Sequence, residues 1–373
     1  MVTEQLIERM QTGLASSGLA FAVEEALGMR EIPDEILRLI HQTSTPAAEV
    51  LAARFGRCTR REECQRVVEM FSATGAEGVL HLRELLRTAP APAAATTVGL
   101  LSRFGSSQLE RLLLTRLGQW EPSQHDQVVR QLALAAAPER GRLLVHLFPA
   151  LHALALPEAL DEIGICGDAS TSSLLLRLAA GEMPQSADFF LRVKAIEGLG
   201  RLREPRAIPL LRGIVAAREM GRWVHSEEMR IVALQTLAKI DFEWARSFES
   251  DSGLRPRDLA IGALDTAEAT PWARHRRYAR VNLPSEFTVT ACLPQGEVPL
   301  GTQLLSLGGG LARAEARLDS GVHGRVRIDG WKAVTAQVMF REAPRKQVSF
   351  EVVKISLEDR ARLRRILSGF NAT

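Results

Sequence analysis

The stretch LRVKAIEGLGRLREPRAIPLLRGIV, residues 191–215, sets the fold of the longer part of the chain. Its apolar residues recur three and four apart: Ala195, Ile196 and Leu199 first, then Ala207, Ile208, Leu211 and Ile214. That spacing places them on one face of each of two helices. Gly200 and Pro205 stand between the two runs, where one helix ends and the next begins. Amphipathic runs of the same kind continue outward toward the N-terminus, as LHLRELLR at 80–87 and LERLLLTRL at 109–117 show.

The pattern also repeats. Leu160, Ile163, Gly164 and Leu175 recur 36 residues later as Ile196, Leu199, Gly200 and Leu211. Arg192, Ala195, Ile196 and Leu199 recur 38 residues later as Arg230, Ala233, Leu234 and Leu237. Leu101, Phe104 and Gly105 share the apolar-x-x-apolar-Gly ending, and Ala52, Phe55 and Gly56 share it more weakly. A glycine at that place is expected to stop the helix and turn the chain. One helix pair cannot bury its own apolar faces, so pairs must stack into a solenoid. Arg192 and Arg230 occupy a shared repeat position, which points to a role in the repeat itself.

The 191–215 stretch closely resembles a HEAT-type repeat, through Arg192, Ala195, Leu199, Gly200, Pro205, Ala207, Ile208, Leu210 and Leu211. The resemblance is strongest over 156–240 and implies a solenoid reaching back to residue 1. Such a face usually holds a protein partner. Relatives of these repeats also include enzymes, but no catalytic constellation stands out here and no enzyme is expected. The nearest approaches, His125 with Asp126 and Asp161 with Glu162, read as solvated helix-face or cap residues.

Composition agrees. The chain has 373 residues, enough for two units, and aromatic residues are only 5%, so the cores are Leu, Ala, Val and Ile. The four cysteines exclude a disulfide scaffold, and none has histidine at zinc-ligand spacing. Glu4 and Glu8 stand where a secretory leader carries positive charge, and no long apolar run follows, so a cytoplasmic protein without a membrane span is expected. The net charge of +3 conceals an asymmetry. Residues 274–373 hold 17 Arg and Lys against 9 Asp and Glu; residues 1–273 hold 30 against 35.

After residue 280 the rhythm changes to two-residue alternation, in EFTVTACL (286–293), VHGRVRI (322–328), AVTAQVMF (333–340) and QVSFEVV (347–353). Turn residues separate these segments: Pro294-Gln295-Gly296, Asp319-Ser320-Gly321, Asp329-Gly330 and Ala343-Pro344. Short strands at this spacing predict a small antiparallel six-stranded β-barrel. A closing helix begins at Ser356, with Asp359 three residues on and a stripe of Leu357, Leu363, Ile366 and Leu367. The fold class is therefore a multidomain α plus β chain: helix pairs over 1–250, a linker over 251–272 with a short helix near 257–264, and the barrel over 273–373.

Two motifs flank the first strand: RHRRYARVNL (274–283) and LLSLGGGL (304–311). Together with the strands and the closing helix they resemble the PilZ domain over about 274–367. The resemblance implies a bacterial receptor for cyclic di-GMP, with Arg276 and Arg280 as its R-x-x-x-R pair, Ser306 and Gly309 as its motif serine and glycine, and Arg277 and Arg274 as auxiliaries. The chemistry suits the ligand. Guanidinium groups grip phosphate in bidentate fashion and pair with or stack on guanine, and glycine lets backbone come close. One position departs: Leu304 stands where the family carries Asp or Asn. Two readings follow, a cyclic-di-GMP effector whose solenoid binds a protein partner, and a ligand-independent adaptor. The basic charge also suits nucleic acid, but aromatic residues for stacking single strands are few, which argues against it. No cofactor is expected.

Overall fold

The computed structural model describes residues 15–58, 61–264, 277–283, 288–314, 318, 321–329, 332–343 and 347–370. The chain forms two compact units, Met1–His152 and Ala153–Thr373. The division therefore falls about a hundred residues before the boundary expected at 250. The helices after Ala153 belong to the same unit as the barrel, because a buried ionic seam fastens the two together.

The first unit is entirely helical in its described residues, from Ala15–Gly28 through Ser44–Phe55, Gly75–Thr88 and Pro122–Ala135 to Arg140–Leu147. Phe55, Phe71, Leu82, Leu113, Leu132 and Phe148 are fully buried or nearly so. Phe71 meets Phe104 edge-on at 5.2 Å between centroids. His125 and Asp126, expected on a solvated face, are instead buried. His125 Nδ1 accepts from the backbone N–H of His152 at 3.0 Å.

The second unit opens with helix pairs: α1 (Leu156–Ile165) and α2 (Ser172–Ala180), α3 (Phe189–Arg201) and α4 (Ile208–Ala216), α5 (Glu227–Ile240) and α6 (Phe242–Glu249). The first members α1, α3 and α5 pack side by side. The repeat glycines act differently from the turn role expected of them. Gly164 and Gly200 lie inside α1 and α3. A Cβ on Gly164 would come within 2.7 Å of Gly198 Cα, so glycine here lets two helix backbones touch. Gly200 makes the same allowance for Thr236 of α5. Gly105, with φ of 133°, does serve the expected turn. Of the two arginines at the shared repeat position, Arg192 donates to the carbonyl of Ala179 at 3.0 Å and Arg230 lies 3.4 Å from the Trp223 ring centroid.

Part of the expected linker is packed. Ser252 and Asp258 are buried, and the short helix α7 is Pro256–Leu259. Gln235 donates to the carbonyls of Leu259 and Ile261 at 2.8 and 2.9 Å.

The barrel comprises β1 (Val281–Asn282), β2 (Thr288–Leu293), β3 (Gly296–Ser306), β4 (Gly309–Ala314), β5 (His323–Ile328), β6 (Val334–Ala343) and β7 (Gln347–Ile355), followed by α8 (Leu357–Phe370). The order is β1-β3-β2-β5-β6-β7-β4, and the β3–β4 pairing closes it. Two-residue β1 continues the β2 edge of β3, so the wall is six antiparallel strands. Alternation sends Val289, Ala291, Leu300, Leu305, Ala312, Val326, Val338, Phe340 and Phe350 inward. Helix α8 starts on the predicted cap, with Asp359 N–H donating to Ser356 Oγ at 3.0 Å, and lays Leu363 and Leu367 on that core. Its buried stripe also contains Arg360 and Arg364, both fully buried, which apolar periodicity could not predict.

Among the described residues no helix is long and apolar enough to cross a membrane. The four cysteines are free, Cys58 and Cys64 buried, Cys166 and Cys292 half-buried.

The glycine contacts yield a paired test. Gly164→Ala forces α1 from α3 and is expected to cost about 1–3 kcal/mol. Gly213→Ala, on α4 with open space around it, is expected to stabilise by about 0.5–1 kcal/mol. Urea unfolding of the two variants, with the same baseline slopes, checks both signs.

Candidate functional site

The expected site is the arginine segment before β1 together with the β3–β4 turn. Arg274 and Arg276 lie outside the described residues. The described part of the segment starts at Arg277, and its side chains divide between two environments.

Arg277 turns into the helices. Its guanidinium reaches Glu158 Oε1 at 3.1 Å and Asp161 Oδ2 at 3.5 Å, both on α1. Its carbonyl accepts from Arg201 at 3.3 Å. Tyr278 is buried; its hydroxyl accepts from Lys194 Nζ at 2.7 Å and donates to Glu197 on α3. Lys194 and Arg201 also bind Asp161, at 2.6 and 2.9 Å. The helix closing the barrel extends the pattern. Arg360 pairs with Glu197 at 2.6 Å and with Glu228 on α5. Arg364 grips Glu228 through two bonds of 2.8 and 2.6 Å. Arg341 of β6 lies 3.6 Å from Glu158. Each of α1, α3 and α5 thus offers a carboxylate to an arginine of the barrel side.

Asp161 was expected on a solvated face; it is 1% exposed. Burial alone pushes its carboxyl up, but Lys194, Arg201 and Arg277 outweigh that and hold it well below the usual carboxylate range. Glu228, likewise buried, is held low by Arg364 and Arg360. Burial first, and then Glu197, drives the Tyr278 phenol well above its ordinary range, so it stays protonated and able to donate. A repeat-level signal for these residues was available. Asp161 and Glu197 are 36 residues apart, and Gln235 is 38 further on, each adjoining the apolar position that carries the repeat. A polar residue recurring in that register marks a face covered by something polar.

Arg280 and Asn282 turn outward. Val281 and Leu283 between and beyond them are buried, whereas Arg280 and Asn282 are exposed. Asn282 pairs directly with Leu304, and Val281 with Leu305. Continuing that register by one residue sets Arg280 opposite Ser306, which pairs on its other side with Gly309. The fold therefore brings Arg280, Ser306 and Gly309 to one corner of the barrel, and takes Arg277 to the helices.

Ser306 and Gly309 are themselves occupied. The Ser306 hydroxyl donates to Gly309 O at 3.0 Å and accepts from Gly308 N–H at 3.3 Å, closing the turn. Gly309 has φ of 141°, and a Cβ there would come within 1.9 Å of Phe350 O. A Cβ on Gly308 would meet the Tyr278 ring at 2.5 Å, and one on Gly310 would meet the Phe350 ring at 2.5 Å. The three glycines make room for protein: two aromatic rings and a neighbouring strand. Tyr278 consequently joins the two motifs physically, with its ring on Gly308 and its hydroxyl among the helices.

Among the described residues no cluster of His, Cys, Asp or Glu is arranged to hold a metal ion. No protein-family model matches the chain, and the search of curated proteins found no similar sequence. The closed six-stranded barrel with its terminal helix is consistent with a PilZ-like barrel.

The buried carboxylates predict an acid-sensitive fold. Their folded values are depressed, so their contribution is complete above about pH 5 and is lost as pH falls through about 4 toward the folded values. Asp161→Asn leaves three cations facing a neutral amide and is expected to cost about 3–5 kcal/mol at neutral pH. It should also flatten the acid limb of stability against pH. Glu297→Gln, at the exposed pair with Arg327, is expected to change stability by less than about 1 kcal/mol. Denaturant titrations from pH 3 to 8 measure both.

Proposed function

We propose that this protein is a cyclic-di-GMP-responsive effector, in which the barrel receives the nucleotide at the corner holding Arg280, Ser306 and Gly309, with Arg276, and the helix pairs bind a protein partner. The observation that carries this reading is the position of Tyr278. One ring touches the glycine turn of the second motif, and its hydroxyl sits between Lys194 and Glu197 of α3. Anything that re-orders the arginine segment on the barrel acts on a residue the helices also hold. A ligand shifts such an arrangement only through differential affinity for its states, and a segment shared by both parts supplies that difference. The ligand's two phosphates suit the guanidinium groups, through charge-assisted, bidentate bonds.

A second reading, a ligand-independent protein-interaction adaptor, is favoured by one specific observation. The Ser306 hydroxyl makes its donor and acceptor bonds inside its own turn, and its strand neighbour Leu304 has no polar group. In this reading the arginine segment is a structural clamp. The chain acts by interaction and not by catalysis in both readings.

Isothermal titration calorimetry of the full chain with cyclic di-GMP separates them. The effector reading expects a saturable heat, with Arg276→Ala/Arg280→Ala weakening affinity by about a hundredfold or more, since each lost charge-assisted bond is worth about 1.5–3 kcal/mol. Ligand at about a hundred times Kd should stabilise the fold by about 2.7 kcal/mol. Absence of heat at high micromolar protein leaves the adaptor reading in place of the first.

A further inference from the structure

Resting on the nucleotide reading above, we propose that Asn282 is the base-recognising residue of the site, its carboxamide taking, from across a strand pair, the hydrogen-bonding role that Leu304 has no group to perform. Asn282 and Leu304 are directly paired on antiparallel β1 and β3. Opposed residues share a face, with Cβ atoms about 4.5–5.5 Å apart. The neighbouring pair, Val281 and Leu305, is buried in the core at 4% and 0% exposure, so the Asn282 and Leu304 pair faces outward. A register shift between Thr302 and Leu304 marks a bulge there, a device that re-aims side chains at an edge.

The surroundings have the chemistry of a nucleobase seat. Leu304 is paired on its other side with Leu311 of β4. Asn282, Leu304 and Leu311 therefore form one row across three strands, with the two leucines half-buried and the amide exposed. Arg280 lies two residues before Asn282, and Arg313 two after Leu311; both are exposed. The row offers an apolar floor for a flat ring, a carboxamide at one end, and guanidinium groups at two corners. A carboxamide both donates and accepts. Its Oδ1 can accept from the N–H groups of guanine while Nδ2 donates to O6. Leucine at 304 then serves as floor beneath the ring, and the polar contact comes from the adjacent strand.

The test is calorimetry with cyclic di-GMP on four full-length proteins: wild type, Asn282→Ala, Asn282→Ala/Leu304→Asn and Arg276→Ala/Arg280→Ala. Thermal melts show whether each is folded; both 282 and 304 are at the outer surface, so wild-type-like melts are expected. Asn282→Ala is expected to weaken binding ten- to a hundredfold, and adding Leu304→Asn to recover at least tenfold by returning an amide to the paired position. Binding by Asn282→Ala within twofold of wild type overturns the assignment while leaving the nucleotide reading intact. A loss that Leu304→Asn does not recover overturns the exchange across the strand pair. No binding by wild type overturns both.

Discussion

Three carboxylates that the fold takes out of water govern the second unit. Asp161, Glu197 and Glu228, on α1, α3 and α5, are buried, and a buried charge is tolerated only when paired and hydrogen-bonded. The helices supply part of the pairing through Lys194 and Arg201, and the barrel side supplies the rest through Arg277, Arg360 and Arg364. Neither part is complete alone. Without the barrel, Glu228 loses both arginines that hold it; without the helices, Arg360 and Arg364 are two cations in the middle of an apolar stripe. This mutual requirement makes residues from Ala153 onward one compact unit, and it turns the stretch up to residue 264 from a spacer into a packed element.

The same constraint re-reads the second motif. Glycines in S-x-G-G suggest a cradle open to a ligand. Here Gly308 accommodates the Tyr278 ring and Gly310 the Phe350 ring. Tyr278 needs that room because its hydroxyl must reach Lys194 and Glu197. A tyrosine held at both ends fixes where the arginine segment leaves the helices. Strand alternation then sends Arg280 and Asn282 outward and Val281 and Leu283 into the core. Among the described residues of the motif pair, Arg280 and the row beside Leu304 remain accessible.

The fold was largely legible because it rests on periodicity. Apolar residues three and four apart gave α1 to α5, and two-residue alternation gave β2, β5, β6 and β7 close to their observed limits. The seam was not legible, since Arg360 and Arg364 follow the buried spacing of Leu363 and Leu367 yet carry charge, and a periodicity count reads charge as exposure. Only partners from 132 to 163 residues away resolve them. Asp161 reads as solvated for the same reason, yet it is buried. The repeat glycines were located by pattern but misassigned in role, because a helix crossing at Gly164 and Gly198 leaves no local mark. The arginine segment was legible as a motif, but not its division between an inner clamp and an outer face, which depends on where β1 enters the barrel.

That division limits what kind of response the proposed effector can make. Separating barrel from helices would part several ion pairs at once and bare the apolar surface packed around them. A ligand at a hundred times its Kd contributes about 2.7 kcal/mol toward whichever state it prefers. Undocking asks nucleotide binding to offset all of these losses together. A smaller change lies within that energy. Tyr278 shares its hydroxyl between Lys194 and Glu197, and both of these have a second partner, Asp161 for the lysine and Arg360 for the glutamate. Shifting the tyrosine leaves each charge still paired, at the cost of two hydrogen bonds to charged groups at most. The signal, in this arrangement, is a re-sharing of bonds along α3 with the barrel still seated, and it would reach a partner through the packing of α1, α3 and α5 in place of any domain motion.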